Sequence, residues 1–159
     1  MLAILLTSAV PAFAAKTSAG GSFKDLSVLN SKVTYSGTNV VYDQTNAGFI
    51  TGTFSGPYVT YVHLTVNPVT GNAVYQAIDV CTCTVAGKSG TLYFYEQGTI
   101  TQFVVLTSTA SIVKGTGQLV NQQGNIALHG LVYNQQGLTL GTYAGLAWSG
   151  TETEREHRR

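Results

Sequence analysis

From Tyr58 to Gln97 the chain reads as three long segments of alternating character joined by tight turns, and an antiparallel β-sheet is the structure that accommodates this pattern. In Tyr58 to Val66 the side chains of Tyr58, Thr60, Val62, Leu64 and Val66 fall on one face, with Val59, Tyr61, His63 and Thr65 on the other. Asn67-Pro68-Val69-Thr70-Gly71-Asn72 follows as a hairpin loop, where proline presets the turn and glycine supplies positive φ. Ala73 to Val85 returns as a long strand, Ala86 to Gly90 turns, and Thr91 to Gln97 forms the next strand.

The pattern continues in both directions. Asn39 to Tyr42 and Gly48 to Phe54 read as short strands, and Ser22 to Tyr35 fits a helical turn or an irregular strand equally badly. Thr101 to Leu106 and Thr109 to Val113 read as further strands, and the last run from Leu138 to Trp148. Asn121-Gln122-Gln123-Gly124 recurs as Asn134-Gln135-Gln136-Gly137, so two matching turns are expected around a strand at Asn125 to Tyr133. Two copies at so short a spacing indicate hairpins, not a solenoid.

About eight sequential strands with short turns make a closed antiparallel barrel or, as the alternative, a β-sandwich. Charge favours the barrel. The chain has 8 basic and 7 acidic side chains, and six of these fifteen charges sit at Glu152, Glu154, Arg155, Glu156, Arg158 and Arg159. A body this poor in charge has little with which to defend open sheet edges, and closure removes them. Lys16, Lys24, Lys32, Lys88 and Lys114 set against Asp25, Asp43, Asp79 and Glu96 form no basic cluster able to neutralise a row of phosphates, so nucleic acid is not an expected partner.

Residues 1–15 are apolar and close in Ala12-Phe13-Ala14, the small-x-small pattern of a secretory signal peptide. The basic n-region is missing, so the true start is expected upstream of Met1. The expected organisation is a signal peptide at 1–15, one barrel domain at 16–150 and a solvated charged tail at 151–159. The protein is expected to be secreted or extracytoplasmic, with no membrane association once the leader is removed.

The residues from Asp79 onward also carry a family resemblance. Asp79, the turn Gly87-Lys88-Ser89-Gly90, Gly98-Thr99, Gly115-Thr116-Gly117-Gln118-Leu119 and Gly124 are spaced as in a bacterial family of unknown function, which the chain resembles over Gly52 to Gly150. The resemblance implies an allene oxide cyclase-like, calycin-like barrel. Such barrels include cyclases that hold a reactive apolar substrate and dirigent proteins that orient radicals, so it implies a ligand-sized lumen. The family usually has Glu where Asp79 stands, glycine at Cys83 and His at Glu96, which puts in doubt any activity that used that His–Glu pair.

Among the segments read as strands, Asp79 and Glu96 supply the carboxylates. If both face the lumen, low dielectric and like charge raise one pKa and create an acid/base pair. Asp79 shares a face with Tyr75, Ala77, Cys81 and Cys83, and Glu96 shares one with Leu92 and Phe94; which faces are lumenal is open at this point. Cys81 and Cys83 project to the same side of a strand with Cα atoms near the limit for a bridge, leaving either a disulfide that demands a bulge or two packed thiols. Tyr75, Tyr93, Tyr95 and His63 are candidates for a ligand-binding wall, weighed against ordinary strand packing. No metal-ligand spacing, phosphate loop or nucleophile elbow is present, and no cofactor or metal is expected.

The function expected from these residues is capture of a small apolar or aromatic molecule in the lumen, more a binding protein than an enzyme. The alternatives are a cyclase or isomerase using Asp79 or Glu96, and a structural or adhesive surface protein. Association into a homo-oligomer through the outer walls is an open expectation.

Overall fold

A computed structural model describes residues 15–150, so the expected signal peptide, apart from Ala15, and the whole charged tail at 151–159 lie outside the described residues. Within them the chain forms eight strands: β1 (Thr17–Ser36), β2 (Asn39–Gly52), β3 (Gly56–Val66), β4 (Ala73–Val85), β5 (Lys88–Thr101), β6 (Val105–Gly115), β7 (Gln122–Val132) and β8 (Thr139–Ser149). Each pairs antiparallel with its sequence neighbours, and β8 pairs back onto β1, closing the sheet into an up-and-down barrel. The single helical turn among the described residues is a 3-10 segment at Gly117–Leu119. The sandwich alternative therefore gives way to the ring.

Sequence alternation and observed burial agree best in β4. Ala73, Tyr75, Ala77, Cys81, Cys83 and Val85 are buried, and Val74, Gln76, Ile78, Thr82 and Thr84 between them are less so. The β4–β5 hairpin closes on only two residues, Ala86 and Gly87, both at positive φ (49° and 79°), the backbone sense that matches the twist of the flanking strands. Gly87-Lys88-Ser89 is thus the end of a hairpin, and Lys88 is already in a strand.

Four readings of the sequence are corrected. Asn39 to Gly52 is one strand, because the polar stretch Asp43 to Asn46 pairs across to Thr60–His63 of β3 without a break. Ser22 to Tyr35 is strand throughout; its alternation is scrambled by register shifts at Asp25/Ser27 and Val28/Asn30. Thr101 to Leu106 contains a turn, with Gln102 and Phe103 at positive φ, before β6 begins. The repeated Asn-Gln-Gln-Gly is a turn only in its second copy, where the Asn134 side chain accepts from the backbone N–H of Gln136 and Leu138. Its first copy runs into β7, where Gln122–Gly124 pair with Ala147–Ser149.

The barrel is shut at one end. Phe54, in the β2–β3 connection, is fully buried and meets Phe94 edge-on at 5.3 Å between ring centroids, with Tyr143 at 5.7 Å. The Tyr143 hydroxyl donates to the carbonyl of Thr51 and accepts from the Phe54 N–H, holding this plug in place. Leu92, Leu119, Cys81 and Cys83 complete the packed floor.

Cys81 and Cys83 are joined as a disulfide with Cα atoms 5.2 Å apart. Two residues of extended strand span about 6.6 Å, so β4 shortens locally. The expected bulge is absent from the pairing: the β4–β5 register runs unshifted through Thr82↔Thr91 and Cys83↔Gly90.

The opposite end is formed by the β1–β2, β3–β4, β5–β6 and β7–β8 connections. Beyond Lys24, β1 leaves β8 and continues with β2 alone as a projecting ribbon.

Candidate functional site

Above the floor the lumen is open, forming a cavity of about 790 Å³, within the range of small-molecule sites. The space exists because two inward positions carry little side chain: Ala77 on β4 and Ala110 on β6. Val62, Leu64, Val66, Ile100, Leu106 and Val132 line its upper walls, and Phe103 together with residues 133–137 of the β7–β8 connection lies at the mouth.

A belt of polar side chains crosses the lumen between the apolar floor and these walls. Ala77 pairs with Glu96 and Asp79 with Phe94, so Asp79 and Glu96 are diagonal neighbours on the inner face. Both line the cavity. The Tyr75 hydroxyl and the Ser108 hydroxyl (2.6 Å) donate to the same Glu96 oxygen, Oε1. Asp79 lies beside Glu96 and opposite Thr60, its cross-strand partner.

Burial, reinforced by the negative charge of Glu96, holds the Asp79 carboxyl well above the usual range, while Thr60 opposes the shift. Asp79 is thereby the carboxyl whose neutral form burial favours, and Glu96 receives from the hydroxyls of Tyr75 and Ser108. Burial also raises the Tyr75 hydroxyl, with Glu96 adding to the effect. It remains a neutral donor.

A third lumenal carboxylate escaped the sequence reading. Asp25 is 4% exposed and lines the same cavity. Its Oδ1 accepts from the Tyr58 hydroxyl at 2.8 Å, and its Oδ2 accepts from the Thr139 N–H and hydroxyl at 3.0 and 2.9 Å. The Tyr133 hydroxyl donates to its backbone carbonyl.

The register shift just after Asp25 accompanies the end of the β1–β8 ladder, and the Asp25 side chain takes up the Thr139 N–H. Burial raises the Asp25 carboxyl; the bonds from Thr139 and Tyr58 pull the other way. Tyr58 reaches Asp25 across β2 because Gly48 lies between them, and a Cβ there would fall inside the tyrosine ring. The signal available in the sequence was the pair Phe23 and Asp25 two residues apart, which the bulges obscured.

Of the candidate wall residues, only Tyr75 faces the lumen. Tyr93 and Tyr95 alternate with the inward Leu92, Phe94 and Glu96 and so stand on the outer surface, where Tyr93 lies under the Lys114 ammonium at 5.3 Å. His63 is also outside, its Nδ1 2.7 Å from an Asp43 oxygen with both side chains more than half exposed. Assigning these three to a lumenal wall is corrected by the same period-two rule that places Tyr75 inside. Tyr58, Thr60, Ser108 and Phe54 join the site instead. No group of three or more His, Cys, Asp or Glu side chains arranged to hold a metal occurs among the described residues.

Comparison with known proteins agrees with the architecture. The family model described as a protein of unknown function (DUF3224) matches residues 21–139. A crystal structure of a protein of unknown function from that family, from Shewanella oneidensis MR-1, superposes with a TM-score of 0.62 at 18% identity, covering 82% of this chain and 97% of the other. The pterocarpan synthase dirigent protein GePTS1 superposes with a TM-score of 0.50 at 11% identity, covering 94% and 100%. At such identities the likeness is one of fold. No curated protein matches the chain.

Proposed function

The chain belongs to the DUF3224 family, whose function is unknown, and we propose from the lumen itself that it binds a small apolar or aromatic molecule carrying at least one polar group. The observation that supports this most is the 790 Å³ cavity, closed below by Phe54, walled by aliphatic side chains and crossed by the Asp79–Glu96 pair. Apolar walls supply affinity and a few fixed polar groups supply orientation. The name of GePTS1 as a pterocarpan synthase dirigent protein accords with small-molecule handling in a barrel of this shape. Native mass spectrometry against a panel of apolar compounds is expected to give one-to-one adducts; an empty barrel across the panel would overturn the reading.

Secretion is part of the proposal. The apolar leader ending in Ala12-Phe13-Ala14 and the Cys81–Cys83 bridge both suit an oxidising compartment. N-terminal sequencing of exported protein is expected to begin at Ala15, and retention of the intact leader in the cytoplasm would count against it.

A second reading, isomerisation or cyclisation of the bound molecule, is favoured by one feature: two adjacent carboxyl groups, Asp79 raised by burial and Glu96 beside it, face the same cavity. Its signature is a change of chromatographic retention at constant mass, abolished by Asp79→Asn. A ligand recovered unchanged after long incubation would leave binding alone.

A further inference from the structure

The electrostatics of the cavity narrow the ligand class. Three carboxyl groups, Asp25, Asp79 and Glu96, line it. No lysine, arginine or histidine does so among the described residues. The five lysines are all exposed, and three of them lie against aromatic rings: Lys16 at Trp148, Lys24 at Tyr133 and Lys114 at Tyr93. His63 and His129 are exposed as well.

Glu96 Oε1 accepts from the hydroxyls of Tyr75 and Ser108. Both bonds come from neutral hydroxyls, so the acidic pair Asp79 and Glu96 faces the lumen with only neutral groups around it. The pair has no cationic partner among the described residues that line the cavity. A buried charge is normally paired, because hydrogen bonds recover only part of what it loses on leaving water. Rings of Phe23, Tyr42, Tyr58, Phe94 and Phe103 also line the space, and aromatic faces attract a cation.

Resting on the reading that the lumen binds a small molecule, we propose that its ligand is an apolar amine, bound as the ammonium ion, with the charged end at the Asp79–Glu96 belt and the apolar body along the walls toward the mouth. A neutral apolar ligand leaves the acidic belt without a cationic partner. A carboxylate or phosphate ligand meets three acidic groups and no base. The ammonium alone complements both the carboxylate and the aromatic lining, and its two or three N–H donors suit the acceptor-rich belt.

The test is a matched series on the folded protein at neutral pH: 2-(1-naphthyl)ethylamine, the alcohol 2-(1-naphthyl)ethanol and the acid 1-naphthaleneacetic acid, titrated by calorimetry. The amine is expected to bind about tenfold or more tightly than the alcohol, with the acid weakest, and Glu96→Gln is expected to bring the amine-to-alcohol ratio close to one. If Glu96→Gln does not fold, the wild-type ranking decides.

Equal affinity for amine and alcohol, or tightest binding of the acid, overturns the amine assignment while leaving the lumen as a binding site. Failure of all three to bind overturns the binding reading and this inference with it. An amine preference undiminished in folded Glu96→Gln refutes the placement of the charge.

Discussion

Replacing Asp79 by Asn removes one buried proton equilibrium while keeping the shape of the side chain and a donor toward Glu96. Burial and the Glu96 charge hold the wild-type carboxyl well above its ordinary value, whereas in the unfolded chain it titrates near pH 3.9. Between the unfolded and folded pKa values the native state keeps a proton that the unfolded state has released. Stability therefore falls as pH rises through that window, at up to about 1.4 kcal/mol per pH unit from this one group. Its contribution is fully present below the unfolded pKa and lost as pH passes the folded one.

The Asp79→Asn variant carries no such equilibrium. Urea unfolding of both proteins at half-unit intervals from about pH 4 to pH 8 isolates the effect, because Asp25 and the exposed groups are common to both and largely cancel in the difference. The variant's stability relative to wild type is expected to rise with pH at up to that slope, then level off above the folded pKa. Parallel stability profiles for the two proteins would refute the claim that Asp79 is held protonated by burial beside Glu96.

Other perturbations probe the frame around the cavity. Phe54→Ala removes a fully buried ring from the floor and is expected to cost about 3–5 kcal/mol, lowering the melting temperature by roughly 10–18 °C for a domain of this size; a shift below a few degrees would show that the plug is not structural. Gly48→Ala places a methyl group inside the Tyr58 ring and is expected to cost about 1–3 kcal/mol, read by urea denaturation, with Tyr58→Phe partly relieving it. The Cys81–Cys83 bridge spans a sequence separation of two, so chain entropy credits it with only about 1.6 kcal/mol; a loss of more than about 3 kcal/mol on reduction would contradict that origin.

The part of this molecule legible in its sequence is the part where period two runs unbroken. β3 and β4 could be traced almost to the residue, and with them the common face of Tyr75, Asp79 and the two cysteines, while β5 was placed correctly but read at half its length. Direction was not legible: alternation sorts Glu96 from Tyr95 but does not say which faces inward, and only closure of the ring settles it. The β1 segment was obscured by two register shifts within six residues, which conceal Asp25 because a bulge changes the face on which later residues appear.

The plug was hidden for a different reason. Phe54 ends the segment Gly48 to Phe54 that reads as a strand, but β2 stops at Gly52, and the burial of Phe54 in the connection depends on Phe94 and Tyr143 far away in the chain. The repeated Asn-Gln-Gln-Gly shows the converse, since one local sequence makes a turn at 134–137 and enters a strand at 122–124, where pairing with β8 decides.

The proposed ligand site is the space beside Glu96. Ala110, directly across the β5–β6 pair from Glu96, points into that space. Titration of the neutral fluorophore N-phenyl-1-naphthylamine into wild type and Ala110→Phe tests this most directly. Wild type is expected to show saturable, blue-shifted one-site binding, and the variant is expected to keep its melting temperature within a few degrees while losing most of that affinity. Absence of saturable binding to wild type, or undiminished binding to folded Ala110→Phe, would contradict the account.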